Sequence, residues 1–322
     1  MKRVAAVLAL WLCAAGPALA QDRTSLPLVA MLRVNTPDTV EPMTTWFRNE
    51  LAALGQVDGR TIRLENRLAE GHVERLPELA RSLVRENPIV IVALGEAPTR
   101  AAQQATSTIP IVTIADDVIE SGFIATLAKP GGNITGVSIL GTELDAKKID
   151  LLKQILPSTR RFGVLRDPST SVPARLRAIG ETARALGVEL QTVDVNGQAD
   201  IALAFASFRA GGAEAIDILA SPLLFGFRKE LGRLSLADKL PAICQFREMV
   251  EAGCIASYGI SLPQAYVVLA ALTDKVLRGA HPGDIPVQQP TRFELVINQK
   301  AARAMGIEIP QSILSRADEV IE

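Results

Sequence analysis

Polar, charged and aromatic side chains collect where apolar, strand-like runs end in this sequence. Those in the first half, with one glycine, are Arg33, Asn35, Thr36, Gly95, Glu96, Thr99, Asp116, Asp117 and Ser138. Those in the second half are Arg166, Asp167, Ser221, Phe246, Arg247 and Tyr258. Both signs of charge occur there with hydroxyl groups and two aromatic rings, which suits a zwitterion such as an amino acid. For any single residue, a solvated loop position or a salt bridge between the two halves is an equally good interpretation. Asp116 also suits a helix cap.

Groups that could carry out catalysis are few in this chain. Its two histidines, His72 and His281, lie in polar loops, and no Cys/His cluster has the spacing of a metal site. The sequence contains no GxSxG, GxGxxG or GxxxxGK[ST] pattern. We therefore predict a protein that is not an enzyme and that holds no metal or cofactor. A binding role requires only an enclosed crevice with a few convergent polar groups.

The stretch from Ile109 to Ser138 indicates which elements would position such residues. The apolar run Ile109 to Ala115 predicts a strand that is buried on both faces, and Asp116 and Asp117 stand at its carboxyl end. A short helix-like run follows, and a second strand then leaves this layer at Ser138. Ligands of open α/β sheets collect outside the carboxyl ends of the strands. The two carboxylates are therefore expected to face a crevice.

A pattern of alternating strands and helices occurs twice along the chain. Leu32-Arg33 recurs as Leu165-Arg166, and Ile109-Pro110 recurs as Leu240-Pro241. Three further stations keep this order, namely Ala53-Leu54-Gly55 with Ala185-Leu186-Gly187, Gly95 with Ser221, and Gly122–Ala125 with Gly253–Ala256. Aliphatic strands that alternate with helices predict parallel sheets. The fold class is therefore α/β, with two similar lobes, each a parallel sheet flanked by helices.

Composition and the N-terminus bound the protein's class. With 322 residues, 48% of them hydrophobic, the chain is long enough for about two folded domains. Lys2-Arg3, the apolar run Val4 to Ala15 and Ala18-Leu19-Ala20 predict a cleaved signal peptide over residues 1–20. An uncleaved anchor and a lipid attached at Cys13 are weaker alternatives. Removing Lys2 and Arg3 from 34 basic side chains leaves 32 against 35 acidic ones, a net charge of −3. This balance is not typical of nucleic-acid binding, so we predict an exported, soluble protein.

Two cysteines, Cys244 and Cys254, remain after the predicted cleavage. A disulfide is one interpretation for an exported protein, and two small buried apolar residues are the other. The first cysteine lies at the end of one predicted strand and the second at the start of the next. Parallel neighbouring strands would place them at opposite edges, beyond the ~7 Å between Cα atoms that a disulfide spans. This placement favours two free, buried thiols.

The sequence resembles the bacterial ABC-transporter substrate-binding proteins related to the tryptophan-uptake binding protein. The specific motifs are Leu127–Gly136, which includes Pro-Gly-Gly-Asn, and Gln289–Asn298. Shorter matches are Leu68–Gly71, Glu74–Pro77, Ile109–Val112, Ser257-Tyr258-Gly259 and Arg316–Val320. Two positions depart from the usual pattern: Asp116-Asp117-Val118 replaces Asp-Pro-Val, and Gly253-Cys254 replaces a glycine pair. The first departure alters the rim of the crevice.

The resemblance implies a type I periplasmic-binding-protein fold with three hinge crossings. The lobes would comprise residues 26–137 plus about 262–287, and 139–260 plus about 289–322. The hinges would lie near Val137 to Leu140, Ile260 to Pro263 and Pro286 to Pro290. The resemblance further implies a periplasmic monomer that delivers a small-molecule solute to an ABC permease in the inner membrane. Aromatic amino acids are one ligand class that it suggests. A ligand-sensing module that is not coupled to transport is the alternative function.

Overall fold

The computed structural model describes residues 26–170 and 173–322. The predicted signal peptide and Cys13 lie outside the described residues. The first sheet contains β1 (Leu28–Arg33), β2 (Arg63–Leu68), β3 (Val90–Leu94), β4 (Ile111–Ala115) and β5 (Ile134–Ser138). Its strands are all parallel and lie in the order β2-β1-β3-β4-β5. Strands β1, β3, β4 and β5 are buried along their whole length, and the mainly apolar runs of β1, β3 and β4 predict this burial.

The second sheet repeats this arrangement and extends it. It contains β6 (Arg161–Arg166), β7 (Glu189–Asp194), β8 (Ala215–Ile218), β9 (Ala242–Cys244), β10 (Ala256–Gly259), β11 (Glu294–Asn298) and β12 (Glu319–Ile321). The spatial order is β12-β11-β10-β9-β8-β6-β7. Read from its other end, the order β7-β6-β8-β9 is the same as the order β2-β1-β3-β4 in the first sheet. Only β11 runs antiparallel to its neighbour β10 among the described strands. The predicted fold class, two similar parallel-dominated α/β lobes, is confirmed.

Helices cover both sheets. They are α1 (Pro37–Ala53), α2 (Leu76–Arg85), α3 (Glu96–Ala105), α4 (Gly141–Ile155), α5 (Pro173–Ala185), α6 (Gln198–Ala210), α7 (Pro222–Gly226), α8 (Arg228–Ala237), α9 (Arg247–Glu251), α10 (Leu262–Leu277), α11 (Gln299–Ala304) and α12 (Gln311–Leu314). We call the first sheet with α1, α2, α3 and α10 the first lobe, because α10 packs against α1, β3, β4 and β5. The second sheet with the remaining helices is the second lobe. Across residues 26–170 and 173–322, no helix is long and apolar enough to cross a membrane.

Helix α1 shows how the sequence pattern builds the core. Val40, Met43, Phe47 and Leu51 recur on one face of the helix and are all buried. Phe47 is fully buried, and burying a side chain of this size contributes about 1.5–3 kcal/mol to stability. Leu54 is the C-terminal cap of the helix and is exposed.

The chain passes between the sheets at three places. It leaves β5 at Ser138 and enters α4 of the second lobe at Gly141, and it returns between β10 and α10 at residues 260–261. The third passage leads from Gln288 into β11. The backbone of Gln288 pairs with that of Val137, which is part of β5. These passages coincide with the three segments predicted as hinges, and their hinge function stays a prediction.

The segment after β4 differs from the sequence-based expectation. Residues 117–128 form turns, so the predicted helix-like run is wrong. The residue that precedes α4, Leu140, makes no side-chain hydrogen bond that caps the helix. The backbone N–H and the hydroxyl of Thr142 both donate to Asp117 Oδ2, at 3.1 and 2.7 Å. The carboxylate of Asp117 therefore caps α4 from a different segment of the chain, and the hydroxyl of Thr142 is a donor to it.

Cys244 and Cys254 are both free and buried, as predicted. The geometric reason given for this expectation was wrong. Their thiols are close enough to interact, and burial together with Cys254 raises the pKa of the Cys244 thiol. The Cys244 thiol also donates to the carbonyl oxygen of Ala256 at 3.3 Å. Strand β9 is only three residues long, so its end lies near the segment that precedes β10.

Candidate functional site

A cavity lies between the two lobes, at the carboxyl ends of β1, β3, β4 and β8. Its volume, counted as room for the centres of water molecules, is about 80 Å³. The first lobe contributes Arg33, Asn35, Met43, Leu94, Gly95, Glu96, Ile114, Ala115, Asp116, Leu262 and Tyr266. The connection to the second lobe contributes Ile139, and the second lobe contributes Thr170, Ala220, Ser221, Pro222, Phe225 and Phe246.

Most of the cavity wall is apolar and aromatic. The rings of Phe225 and Phe246 meet edge to face, with centroids 5.7 Å apart. Tyr266 makes a similar contact with Trp46, at 6.0 Å. A wall of this kind excludes water and stabilises an apolar or aromatic group through burial and ring contacts.

Arg33 places a buried cation in this wall. Its side chain ends β1 and is 1% exposed. Nη1 donates to the Tyr266 hydroxyl and Nη2 to the Met31 sulfur, both at 3.4 Å, and Nε has no partner. Within residues 26–170 and 173–322, no carboxylate forms an ion pair with it. Burial lowers the pKa of Arg33, and the Tyr266 hydroxyl opposes this effect. The guanidinium can therefore accept an anionic ligand group with little competition.

The neighbouring strand explains why Arg33 is unpaired. In the parallel register, Arg33 lies opposite Leu68 on β2. The equivalent residue of the second lobe, Arg166, lies opposite Asp194 on β7 and forms a two-pronged ion pair with it at 2.7 Å. An apolar residue at one position and a carboxylate at the other thus leave one arginine free for a ligand.

Two carboxyl groups form an acidic side of the cavity. Burial and, after it, the nearby Asp116 carboxylate together raise the pKa of Glu96 to about 8. Burial also raises the pKa of Asp116 to about 6, although the guanidinium of Arg175 opposes this. Asp116 Oδ2 accepts from Arg175 Nη1 at 2.7 Å. The cavity therefore carries an unpaired cation and an excess of acid in an otherwise apolar wall.

A buried network of charges in the second lobe positions Arg175. Arg175 also contacts Asp145, and Asp145 forms an ion pair with Lys148 at 2.9 Å. Lys148 further donates to Asp217 Oδ1 at 2.7 Å and to the carbonyl oxygen of Ile218 at 2.9 Å. Burial alone would lower the pKa of Lys148, but Asp145 and Asp217 raise it. The guanidinium of Arg175 that contacts Asp116 is thus held in place by side chains that are fully buried.

The two lobes are closed around the cavity. The side chain of Asn35 in the first lobe donates to the carbonyl oxygen of Pro222 in the second, at 2.5 Å. The ion pair between Asp116 and Arg175 bridges the lobes in the same way. Gly95, with φ +101°, lies so close to Pro222 that an added Cβ would stand 2.4 Å from its Cγ.

We expect Gly95→Ala to hold the lobes apart. The new methyl group would overlap Pro222, so the closed state would be disfavoured and the affinity for ligand would fall by about tenfold or more. Calorimetric titration measures this affinity. Gly279→Ala is the matched control, because Gly279 has a similar φ of +94° but open space around it. An equal loss of affinity in both variants would assign the effect to backbone strain and contradict the proposed clash.

The structure brings seven of the predicted site residues to the cavity wall, and their contact with ligand stays a prediction. These are Arg33, Asn35, Gly95, Glu96, Asp116, Ser221 and Phe246. Ser221 Oγ accepts from the backbone N–H groups of Leu223 and Leu224 at the start of α7, and it donates to Asp167 Oδ2 at 2.6 Å.

Four other predicted residues lie beside the cavity and support it without lining it. Asp117 caps α4, as described above. The Ser138 hydroxyl donates to the carbonyl oxygen of Asp116 at 3.0 Å. Thr99 donates to the carbonyl oxygen of Gly95 at 2.7 Å, in the first turn of α3. Thr36 is the N-terminal cap residue of α1, and its hydroxyl shares a hydrogen bond with that of Thr39 at 3.3 Å.

Three predicted residues make contacts elsewhere. Arg166 pairs with Asp194 at the sheet edge. Arg247 forms ion pairs with Glu319 at 2.7 Å and with Glu251 at 2.5 Å. The Tyr258 ring packs against Phe293 with centroids 6.1 Å apart, on the sheet face. None of these three lines the cavity.

Comparison with known proteins places the whole described chain in one family. Residues 29–321 match the model of the family described as ABC transporter substrate binding protein. A tyrosine-binding protein of Clostridioides difficile is 25% identical over 264 residues, which cover 81% of this chain and 76% of that protein. A conserved domain protein from Vibrio cholerae, with 27% identity, superimposes with a TM-score of 0.83 over 91% of this chain and 99% of its own.

A further solved structure has the same fold. An ABC domain from Streptococcus pneumonia in complex with L-Trp, 24% identical, also gives a TM-score of 0.83, over 92% of this chain and 100% of its own. The family match spans nearly every described residue, and these structures share both lobes. The chain therefore belongs to the ABC transporter substrate binding protein family.

Proposed function

We propose that this protein is the periplasmic solute-binding component of an ABC importer, acting as a monomer and without catalysis. Its ligand is an amino acid with an apolar side chain, aromatic ones included, or a small carboxylate. Delivery to a permease in the inner membrane follows capture. Family membership supports the transport role, and the predicted signal peptide supports the location.

The observation that carries the ligand class is the separation of charge within the apolar cavity. Arg33 offers a buried cation without a carboxylate partner, and Glu96 and Asp116 supply an excess of acid. An amino acid carries the complementary pair of charges. The rings of Phe225, Phe246 and Tyr266 would enclose its side chain. The names of two similar proteins, a tyrosine-binding protein and a complex with L-Trp, support the same class.

Ligand capture would follow from the cost of the empty closed state. Closing the lobes without a ligand leaves Arg33 desolvated, and this penalises the closed state. A ligand carboxylate on Arg33 removes that penalty, so the ligand favours closure. The closed surface is then the form that a permease recognises.

A thermal-shift screen tests this function. Aromatic L-amino acids, aliphatic L-amino acids, small carboxylates and purines are added separately to the mature protein. At equal ligand concentrations, we expect an aromatic amino acid to stabilise the protein most. A ligand present at a hundred times its Kd stabilises by about 2.7 kcal/mol. Purines should give no shift, since they lack the carboxylate that Arg33 would bind. No shift with any amino acid or carboxylate would contradict the proposed ligand class.

A further inference from the structure

Glu96 is a buried acid in the cavity wall that forms no ion pair within residues 26–170 and 173–322. It is the first residue of α3 and is 3% exposed. Its Oε1 accepts one hydrogen bond, from the Ser121 hydroxyl at 2.7 Å. In the part of the chain that the structure describes, neither lysine nor arginine forms an ion pair with it. A carboxylate buried in this way is destabilised until a cation arrives.

The charged groups that face Glu96 do not supply that cation. Asp116 and Asp117, at the end of β4, repel a negative charge on it. The cation that reaches it, Arg175 of α5, is already bound by Asp116 and Asp145. Burial has the largest effect and, with the Asp116 carboxylate, raises the pKa of Glu96 to about 8. Near neutral pH, Glu96 in the empty closed cavity therefore carries a proton.

We infer that Glu96 determines specificity by selecting ligands that carry an ammonium group beside their carboxylate. This inference rests on the proposed function. The ligand ammonium takes the vacant cationic position, and Glu96 releases its proton to solvent as it becomes the paired carboxylate. Asp116 is less suited to this role, because Arg175 already holds it at 2.7 Å. A ligand with a carboxylate alone leaves Glu96 protonated and gains nothing from it.

The sign of the pH dependence follows from this exchange. Below about pH 8, binding of an ammonium displaces a proton from Glu96. The complex therefore holds fewer protons than the free protein and the free ligand together. Affinity for an amino acid should therefore rise with pH, by about tenfold or more between about pH 6.5 and pH 8, and then level off. Affinity for the same molecule without its amino group should stay flat over this range.

Calorimetry of the full mature chain tests the inference with a pair of probes, L-tryptophan and 3-(indol-3-yl)propanoate. Titrations in buffers of different ionisation enthalpy count the protons released. We expect net release of protons with L-tryptophan near pH 6.5, and none with the propanoate. Glu96→Gln should abolish the release and lower the preference for L-tryptophan by about tenfold or more at pH 8. Glu120→Gln, at an exposed glutamate on the nearby turn, is the matched control and should change neither.

A purely structural role for Glu96 gives a different result. As a first-turn acid of α3 it would favour the helix dipole, and its replacement would change thermal stability alone. If L-tryptophan binds to the wild type without proton release, and Glu96→Gln keeps the wild-type preference, the inference is overturned. The proton count in the wild type decides this even if the variant does not fold. Failure of every probe to bind would instead remove the proposed function, and the inference with it.

Discussion

Replacing Arg33 with methionine should abolish tight binding and yet stabilise the empty protein. The variant loses two charge-assisted hydrogen bonds to the ligand carboxylate, so affinity should fall by about 3 kcal/mol or more, at least a hundredfold. In the empty protein, however, Arg33 is a desolvated cation whose Nε has no partner. Its removal should raise the free energy of unfolding by about 1–3 kcal/mol. This opposition between stability and affinity is typical of a binding residue.

Urea denaturation and calorimetric titration measure the two effects separately. Arg85→Met is the control, because Arg85 is exposed in the last turn of α2 and should change the free energy of unfolding by less than about 0.5 kcal/mol. A destabilised empty Arg33→Met protein with unchanged affinity would show that the guanidinium is structural. The cavity would then have its anion receptor elsewhere.

Two adjacent lysines of α4 should respond very differently to the same change. Lys148→Met removes the cation that Asp145 and Asp217 share inside the second lobe, where all three side chains are fully buried. Asp217 then has no ion-pair partner among the residues that the structure describes, and breaking a buried pair in this way costs about 3–5 kcal/mol. Lys147→Met breaks an ion pair with Asp150 that is partly exposed, which is worth about 0.2–1 kcal/mol.

The comparison is internally controlled, since both lysines lie in one helix and become the same residue. The free energy of unfolding from urea denaturation is the quantity to compare. We expect Lys148→Met to unfold at a clearly lower urea concentration than Lys147→Met. Similar costs for the two variants would mean that the buried network contributes little to the stability of the second lobe.

The architecture was largely predictable from the sequence because its signals are periodic and occur twice. Continuous aliphatic runs such as Val90–Leu94 identify strands that are buried on both faces, and apolar residues at helical spacing identify α1. The repeated pairs, such as Leu32-Arg33 and Leu165-Arg166, predicted two lobes. The cap that the Asp117 side chain forms on α4 was not predictable, because it is a contact between separate segments.

The candidate site was only partly predictable, since being at a strand end does not determine where a side chain points. Arg33 and Arg166 are equivalent in the repeat, but the residue opposite each one differs. Leu68 leaves the first arginine free and Asp194 captures the second. Sequence reasoning could not see this register. Arg247 likewise does not line the cavity, because it pairs with Glu319, which lies 72 residues later in the chain.

Three important residues were not predicted at all. Tyr266 lies in α10, an apolar helix whose pattern predicts only burial, and it reaches Arg33 because α10 returns to the first lobe. Phe225 lies in the short helix α7, where a core position is the simpler interpretation. Arg175 belongs to a helix with several exposed charges, and only the fold buries it against Asp116 and Asp145. In each case the signal lies in long-range packing.

A crystal structure of the mature protein with the amino acid that stabilises it most is the direct test of the central claim. We expect the ligand between the lobes, with its carboxylate on Arg33 at about 2.7–2.9 Å and its ammonium beside Glu96. Its side chain should lie among Phe225, Phe246 and Tyr266. A ligand bound outside this cavity, or one with its carboxylate turned away from Arg33, would contradict the account.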